Sequence, residues 1–294
     1  MAARPSLQPC RQGARHRQRP PLALPAAGLL LSLLPALAMP AAAEPAAPEP
    51  ARALPQAPAA GAYLRLGGGL DWPDASVIRD GDGCASIQPP ALFGCGAGDD
   101  GRSLAARGSF QQTPVLEAGL GYRFSPWLRA EALLSWRPQL DYSGQSNFIG
   151  AGTDQPVSAA ASSLAGFGVA YVDLPRLAGV QPFLGAGLGV ARNRLRSVTY
   201  SFPLISAGAT TSTPEGSSSD LAWLLTAGLS VPLSERLSLD VAYRFTDLGS
   251  LTSPSGAAEV VRPTRIPSRR TIPIASTSTD LQTQGLQVGL RYAF

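Results

Sequence analysis

The sequence predicts an all-β fold: an eight-stranded antiparallel up-and-down barrel that spans a membrane with its strands. Three observations lead to this prediction. Eight segments alternate apolar with polar or small residues, the connections between them alternate between short and long, and aromatic residues gather near both ends of the segments. Strict alternation over such lengths is typical of strands with one apolar face and one polar or tightly packed face.

The alternating segments recur from residue 61 to Phe294. In seven of them the apolar phase is clear, whereas the fourth is apolar on both phases, so the sequence does not set its register. The segments are 64–72, 116–124, 128–137, 164–174, 184–190, 221–231, 237–246 and 286–294. An even number of strands of about ten residues is typical of barrels that cross a membrane.

The connections fall into two classes by length. Short turns that contain proline lie at 125–126, 175–181 and 232–236. The other four connections are long: 73–109, 143–158, 197–218 and 249–279. Because successive antiparallel strands reverse direction, all short turns fall at one end of the barrel and all long loops at the other. A soluble exported β-sandwich is the alternative, and it has no reason to sort its loops by length.

Aromatic residues mark both ends of the predicted strands. The set near the short turns is Tyr122, Phe124, Trp127, Phe183, Tyr292 and Phe294, and the set near the long loops is Trp72, Trp136, Trp223, Tyr243 and Phe245. Two aromatic belts around an aliphatic band are typical of the two interfaces of a membrane. Ordinary core aromatics of a soluble protein are the alternative, which explains neither belt.

The first 60 residues predict a leader followed by a linker. Five arginines in the first 19 residues precede an apolar segment, 28–37, of the length found in secretory signals, and small residues at 41–43 or 36–38 offer a cleavage site. Pro25 and Pro35 disfavour a membrane-spanning helix here. We predict a signal peptide at 1–43, a Pro/Ala-rich linker at 44–60 and a β-barrel domain at 61–294.

The net charge of +4 gives no support for nucleic-acid binding. The chain has no lysine, and 5 of its 24 arginines lie in the predicted signal peptide, which leaves 19 basic against 20 acidic residues. A nearly neutral mature protein lacks the basic surface that nucleic acid requires.

Cys84 and Cys95 predict a disulfide within the first long loop, because an exported protein meets an oxidising compartment. Two free thiols are the alternative, and a metal site is disfavoured because no histidine lies nearby to complete a ligand set. The run Asp-Gly-Asp-Gly at 80–83 resembles a calcium loop only weakly, since it lacks the acidic spacing of an EF-hand. We expect no cofactor and no metal.

Four motifs resemble a known class of proteins. They are Tyr63-Leu-Arg-Leu-Gly-Gly-Gly69, Pro182-Phe-Leu-Gly-Ala-Gly-Leu-Gly-Val190, Asp240-Val-Ala-Tyr-Arg-Phe-Thr-Asp-Leu-Gly249 and the closing strand that ends in Phe294. They resemble the small bacterial outer-membrane β-barrel proteins, the class of the OmpA membrane domain, OmpX, OmpW and the opacity-type surface proteins. The resemblance implies the outer membrane of a Gram-negative bacterium, short periplasmic turns and long extracellular loops. It also implies that Leu290, Tyr292 and Phe294 act as an assembly signal.

The polar phase of the strands would face the interior of the barrel. Its charged residues are Arg65, Asp71, Glu117, Arg123, Arg129, Glu131, Asp240, Arg244 and Arg291. Eight strands enclose a lumen that side chains can fill, and charges buried there are tolerated only when they pair. The near balance of signs predicts an ion-pair network that plugs the lumen. The alternative is a polar conduit, for which inward Gly185, Gly187 and Gly189 leave room.

The residues offer little for catalysis. The only histidine is His16, inside the predicted signal peptide, so a serine nucleophile would lack its usual base. Glu117 and Glu131 alternate with arginines, as ion-pair partners do. We predict a non-enzymatic barrel that displays surface loops, in envelope integrity, adhesion or surface interaction. A narrow porin, or a conduit for small solutes including hydrophobic ones, is the alternative.

The predicted partners follow from this location. We expect outer-membrane lipid and lipopolysaccharide around the barrel, the outer-membrane assembly machinery during insertion, a host or surface ligand at the loops, and a monomer. Binding residues concentrate on loops held by a rigid scaffold. The fourth long loop offers arginines that could pair with lipopolysaccharide phosphates, or that are simply solvated: Arg262, Arg265, Arg269 and Arg270.

Overall fold

The chain folds into antiparallel β-strands. A computed structural model describes residues 60–264 and 266–294, so the predicted signal peptide, the linker up to residue 59 and Arg265 lie outside the described residues. The strands are β1 (Gly61–Pro73), β2 (Ala75–Asp80), β3 (Ala106–Phe110), β4 (Thr113–Ser125), β5 (Leu128–Ser146), β6 (Pro156–Asp173), β7 (Gln181–Leu195), β8 (Thr199–Ser201), β9 (Thr210–Ser212), β10 (Gly216–Pro232), β11 (Leu237–Ser253), β12 (Gly256–Arg262), β13 (Ser268–Ile274) and β14 (Thr277–Ala293). In this part of the chain no helix has the length and hydrophobicity to cross a bilayer.

Eight of the strands form a closed ring. They pair antiparallel in the order β1, β4, β5, β6, β7, β10, β11 and β14. Strand β14 pairs back with β1, from Tyr63 opposite Ala293 to Pro73 opposite Thr283. Closing the ring pairs the edges that an open sheet would expose. The predicted eight-stranded up-and-down barrel is therefore confirmed.

The alternation of the sequence becomes an alternation between the outside and the inside of the barrel. Leu188 points outward and is 66% exposed, whereas Arg129 points inward and is 1% exposed. Outward leucines and valines on every strand of the ring form a continuous apolar surface, which is far larger than a soluble monomer displays. The outer surface thus matches hydrocarbon, and the polar residues are inside.

Strand β6 has a register that the sequence leaves open. Ala165, Phe167, Val169 and Tyr171 are buried inside the barrel, and Leu164 is exposed outside. The segment is apolar on both phases because one face lies on the outer surface and the other lines an apolar side of the lumen. The lumen is therefore polar on one side and apolar on the other.

The long loops contain short strands that the sequence analysis missed. In the first loop, β2 and β3 pair with each other and extend the barrel wall through β14 and β5. Strands β8 and β9 form a hairpin in the third loop, and β12 and β13 form another in the fourth. Strand β9 also pairs with β12, so the two hairpins belong to one sheet.

The aromatic residues near the ends of the strands lie mostly on the outer surface. Trp127 and Phe124 are exposed near the short turns, and Trp136 and Tyr243 are exposed toward the long loops. Phe183 is the exception, because it is only 3% exposed and lies inside the barrel. It is on the inward phase of β7, so its assignment to the short-turn belt is wrong.

Candidate functional site: the lumen and its cap

Glu117 lies at the centre of a buried ion-pair group in the middle of the lumen. Its carboxylate accepts a hydrogen bond from Arg65 at 3.0 Å and also pairs with Arg244. Arg65 in turn reaches Glu131 at 3.4 Å. These four side chains are at most 5% exposed. Each charge is therefore balanced by a protein group rather than by water.

Asp173 organises a second group near the short turns. Its carboxylate pairs with Arg129 at 3.0 Å and with Arg123 at 3.3 Å. The guanidinium carbon of Arg129 also lies 4.1 Å from the ring centroid of Tyr171 and 4.9 Å from that of Phe183. A cation over an aromatic face is attracted to it, more strongly when both are desolvated. Phe183 therefore helps to hold a lumen arginine.

Two further ion pairs extend the network along the barrel axis, toward the short turns and toward the long loops. Arg291 lies 3.3 Å from Asp240, and Arg137 lies 2.7 Å from Asp71 on the side of the long loops. Gln287 donates a hydrogen bond to the second oxygen of Asp71 at 2.8 Å. The network thus consists of several short-range pairs that follow one another along the barrel.

The inward glycines of β7 do not leave an open passage. A Cβ atom at Gly185 would lie 2.6 Å from the ring of Tyr171, and one at Gly187 would lie 3.0 Å from Val169. At Gly189 a Cβ atom would collide with the backbone of the neighbouring strand at Gly166. Residues of β6 and β10 occupy the space beside these glycines.

Aromatic side chains from three of the long loops cover the end of the lumen that lies opposite the short turns. The rings of Phe93 and Phe148 stack with centroids 5.0 Å apart. Tyr200 meets both of them edge-on, at 5.7 and 5.8 Å, and Phe202 lies 5.6 Å from Phe148. We call these four residues the aromatic cap. The cap is continuous with the apolar cluster that lines one side of the lumen.

The first loop fixes its part of the cap through a disulfide and a carboxylate. Cys84 and Cys95 are bonded with an S–S distance of 1.98 Å, and the loop that they close carries Phe93. The carboxylate of Asp80 accepts hydrogen bonds from the three amides of 92–94 at 2.9 to 3.1 Å. Asp80 therefore holds the backbone of 92–94 in place. The described residues contain no group of three or more metal-ligating side chains.

Tyr200 is buried in the cap, outside the part of the barrel that crosses the bilayer. Burial is the main cause that raises the pKa of its phenol, and the nearby Tyr142 and Asp80 raise it further. The phenol therefore stays neutral over the physiological pH range.

Comparison with known proteins identifies the family. The family model described as the outer membrane protein beta-barrel domain matches residues 29–294, which is most of the chain. The chain belongs to this family. It is 31% identical over 140 residues to an uncharacterized protein of Brucella abortus (strain 2308). The matched region covers 43% of this chain and 49% of that protein. The chain thus spans about half the length of the curated relatives it matches.

Two solved structures illustrate how distant the structural matches are. The outer membrane protein OprG from Pseudomonas aeruginosa is 16% identical, with 82% of this chain and 99% of that chain covered and a TM-score of 0.47. Neisserial surface protein A is 17% identical, with 80% and 99% covered and a TM-score of 0.33.

Membership of the family places the barrel in the bacterial outer membrane, with short periplasmic turns and long extracellular loops. Leu290, Tyr292 and Phe294 lie on the outward face of the last strand and are exposed, and the rings of Tyr292 and Phe294 are 5.7 Å apart. The role of the three residues in assembly stays a prediction.

The nine charged residues that the sequence assigns to the lumen all lie there, and each takes part in an ion pair. They are Arg65, Asp71, Glu117, Arg123, Arg129, Glu131, Asp240, Arg244 and Arg291. Their role as a plug stays a prediction. The sequence analysis missed Arg137 and Asp173. Arg137 shares the inward phase of Arg129, so the sequence contained a signal for it. Asp173 lies within the fourth segment, whose register the sequence does not set.

The described arginines of the fourth loop lie close together at the end of the β12–β13 hairpin. Arg269 pairs with Glu259 at 2.7 Å, with both side chains largely in solvent. Arg262 and Arg270 are also exposed, and Arg265 lies outside the described residues. A pair of this kind in water contributes little stability, about 0 to 1 kcal/mol.

Proposed function

We propose that the protein is a closed, non-enzymatic outer-membrane barrel that displays its extracellular loops, in envelope integrity, adhesion or surface interaction. The observation that supports this proposal is the presence of two successive barriers along the barrel axis. Ion pairs occupy the lumen from Arg123 to Arg137, and the aromatic cap lies over its extracellular end.

A permeating ion would have to break buried ion pairs to pass the first barrier. Each lumen charge described above has a partner within 3.4 Å. Separating one of these pairs would leave a buried charge uncompensated, at a cost of about 3–5 kcal/mol. The network therefore favours a structural role over conduction.

The carboxylates of the lumen are poor candidates for catalysis. Glu117 and Glu131 are the sequence-based candidates, and both face arginines at short range. Both carboxylates are buried, with side chains 1% and 0% exposed, so neither meets a substrate that arrives from solvent. Together with the position of the only histidine at residue 16, this supports a non-enzymatic role.

A conduit for small hydrophobic solutes is the second candidate, because one side of the lumen is apolar. Phe167, Val169 and Leu224 line that side, and they belong to the same cluster as the cap residues Phe93 and Tyr200. This function requires the cap to open and the apolar side chains to move apart, since they fill the space in the structure.

Conductance measurements on the refolded full chain in planar bilayers test the closed-barrel proposal. We expect no discrete conductance steps from the wild type. A lumen variant, Glu117→Ser with Arg244→Ser, and a cap variant, Phe93→Ala with Phe148→Ala, should each stay silent because the other barrier remains. The combination keeps the Arg129–Asp173 and Arg137–Asp71 pairs, so it should pass at most a small current. Reproducible steps from the wild type would overturn the proposal.

Two additional measurements address display and the second candidate. Trypsin added to intact cells should cleave the wild type in the fourth loop, and the Arg265→Gln, Arg269→Gln, Arg270→Gln variant should resist cleavage there, because the remaining Arg262 precedes a proline. Uptake of a hydrophobic dye by proteoliposomes should be no faster than by protein-free liposomes. Faster uptake that the Phe148→Ala variant increases further would favour the conduit.

A further inference from the structure

The outward face of β7 changes abruptly from apolar to cationic. Leu188 and Val190 are 66% and 58% exposed and belong to the apolar surface. The next three outward residues are Arg192, Arg194 and Arg196, all of them exposed. At a rise of about 3.3 Å per residue, the three arginines form a row about 13 Å long on the outside of the barrel.

The three arginines differ from those of the lumen because their charges are not paired. No described residue forms a side-chain hydrogen bond or an ion pair with any of them, whereas every lumen arginine faces a carboxylate. Asp141 and Glu215 line the cleft beside the row. Asp141 accepts a hydrogen bond from the side chain of Gln139 at 2.6 Å instead.

A cleft of about 760 Å³ adjoins the row, between β5, β6, β7 and β10. Arg194 is flanked across the sheet by Ser162 on β6 and Ser217 on β10. A register shift in β5 between Arg137 and Leu140 interrupts the wall on the far side of the cleft. Guanidinium groups and hydroxyls both donate hydrogen bonds, and phosphate oxygens accept them.

The row begins at the height where the apolar surface ends. Arg192 lies opposite Leu164, and Leu164 lies opposite Trp136 of the extracellular belt. On the other side of the barrel, β11 and β14 carry Asp247 and Asp280 on their outward faces at the extracellular end. The row on β7 therefore lies beside the polar headgroups of the outer leaflet.

We propose that Arg192, Arg194 and Arg196, with the hydroxyls of Ser162 and Ser217, bind the phosphorylated sugar headgroup of an outer-leaflet glycolipid. Arginine matches phosphate oxygens through two parallel hydrogen bonds, and the apolar residues below the row lie beside the acyl chains of the same molecule. A phosphate carried by a lipid meets both surfaces at once, which a soluble anion cannot do. The site is independent of whether the lumen conducts.

Binding of fluorescent bis-phosphorylated lipid A to the refolded full chain in detergent micelles tests this proposal. The variant Arg192→Gln, Arg194→Gln, Arg196→Gln should bind about tenfold or more weakly than the wild type, because three charge-assisted contacts are lost. The variant Arg262→Gln, Arg269→Gln, Arg270→Gln removes the same charge from the fourth loop, whose arginines are the other candidates to pair with lipopolysaccharide phosphates, so it separates the two sites. It should stay within about twofold of the wild type.

Two further arms identify the ligand. Lipid A without phosphates should bind weakly to all variants, and inorganic phosphate should not displace the bis-phosphorylated form. Equal binding by the wild type and the β7 variant would overturn the proposal, and so would full competition by inorganic phosphate, which would indicate a site for free anions. If the triple variant does not fold, the single variant Arg194→Lys keeps the charge and loses the paired geometry. It should still show a measurable loss, and unchanged affinity would count against the site.

Discussion

Replacing Glu117 by alanine removes the carboxylate that Arg65 and Arg244 share. Arg65 keeps Glu131 at 3.4 Å, whereas Arg244 has no other ion pair among the described residues. One buried guanidinium therefore loses its only countercharge. Removing one partner of a buried pair costs about 3–5 kcal/mol, and we expect the free energy of unfolding to fall by that amount. Glu117→Gln removes the charge but keeps hydrogen-bond acceptors, so its effect should be smaller.

Urea titration of the protein refolded in lipid vesicles measures this loss, with tryptophan fluorescence as the signal and the heat-modifiable gel mobility as a check on the folded state. The matched control is Glu259→Ala, which breaks the pair with Arg269. The side chains of that pair are 45% and 77% exposed, so its loss should cost less than about 1 kcal/mol. If Glu117→Ala costs no more than Glu259→Ala, water solvates the lumen charges and the reasoning behind the closed barrel is wrong.

Four further predictions address the cap, the loops and assembly. Phe148→Ala removes a partly buried ring that contacts three other aromatic residues. It should weaken the cap by less than the about 3–5 kcal/mol that a fully buried phenylalanine costs, seen as faster amide exchange in the loops while the barrel is unchanged. Reduction of the Cys84–Cys95 disulfide, which closes a loop with a sequence separation of 11, should destabilise that loop by about 3 kcal/mol and increase its cleavage by proteases. Burial raises the pKa of Tyr200. The stabilisation from its neutral phenol is therefore complete below a pH of about 10, and it is lost as the pH rises through the folded-state pKa. In an ultraviolet absorbance titration, Tyr200→Phe should lack one tyrosine that ionises late. Deletion of Phe294 should lower outer-membrane yield more than substitution of one fourth-loop arginine, and equal yields would count against an assembly role.

The barrel can be predicted from the sequence because alternation is a local property. Each strand of the ring shows its inward and outward phases within its own residues. Strand β6 is the exception, since an apolar lumen wall and an apolar outer surface look alike in the sequence. Strands β8 and β9 were missed because they are three residues long and are held by pairing with distant partners in β6 and β12.

The candidate site can be predicted only in part. The phase of each strand shows that Arg65 and Glu131 face the lumen, but they are 66 residues apart in the chain and meet only when β1 and β5 pair with the two edges of β4. Phe183 illustrates the converse error. Its place near a short turn suggested a membrane belt, whereas its phase places it inside against Arg129. Position along a strand and phase are separate signals, and the phase decides which environment a side chain enters.

The pairing of β9 with β12 has a consequence for how the cell surface is recognised. Residues from 199–212 and 256–274 lie side by side in one sheet although a complete barrel hairpin separates them in the chain. An antibody or phage that binds this sheet contacts two distant stretches of the sequence at once. A synthetic peptide with the sequence of either stretch would therefore present only half of the epitope. Sequence change in one stretch is also constrained by its partner, which leaves the turns and the free edge of β13 as the places where the surface can vary most easily.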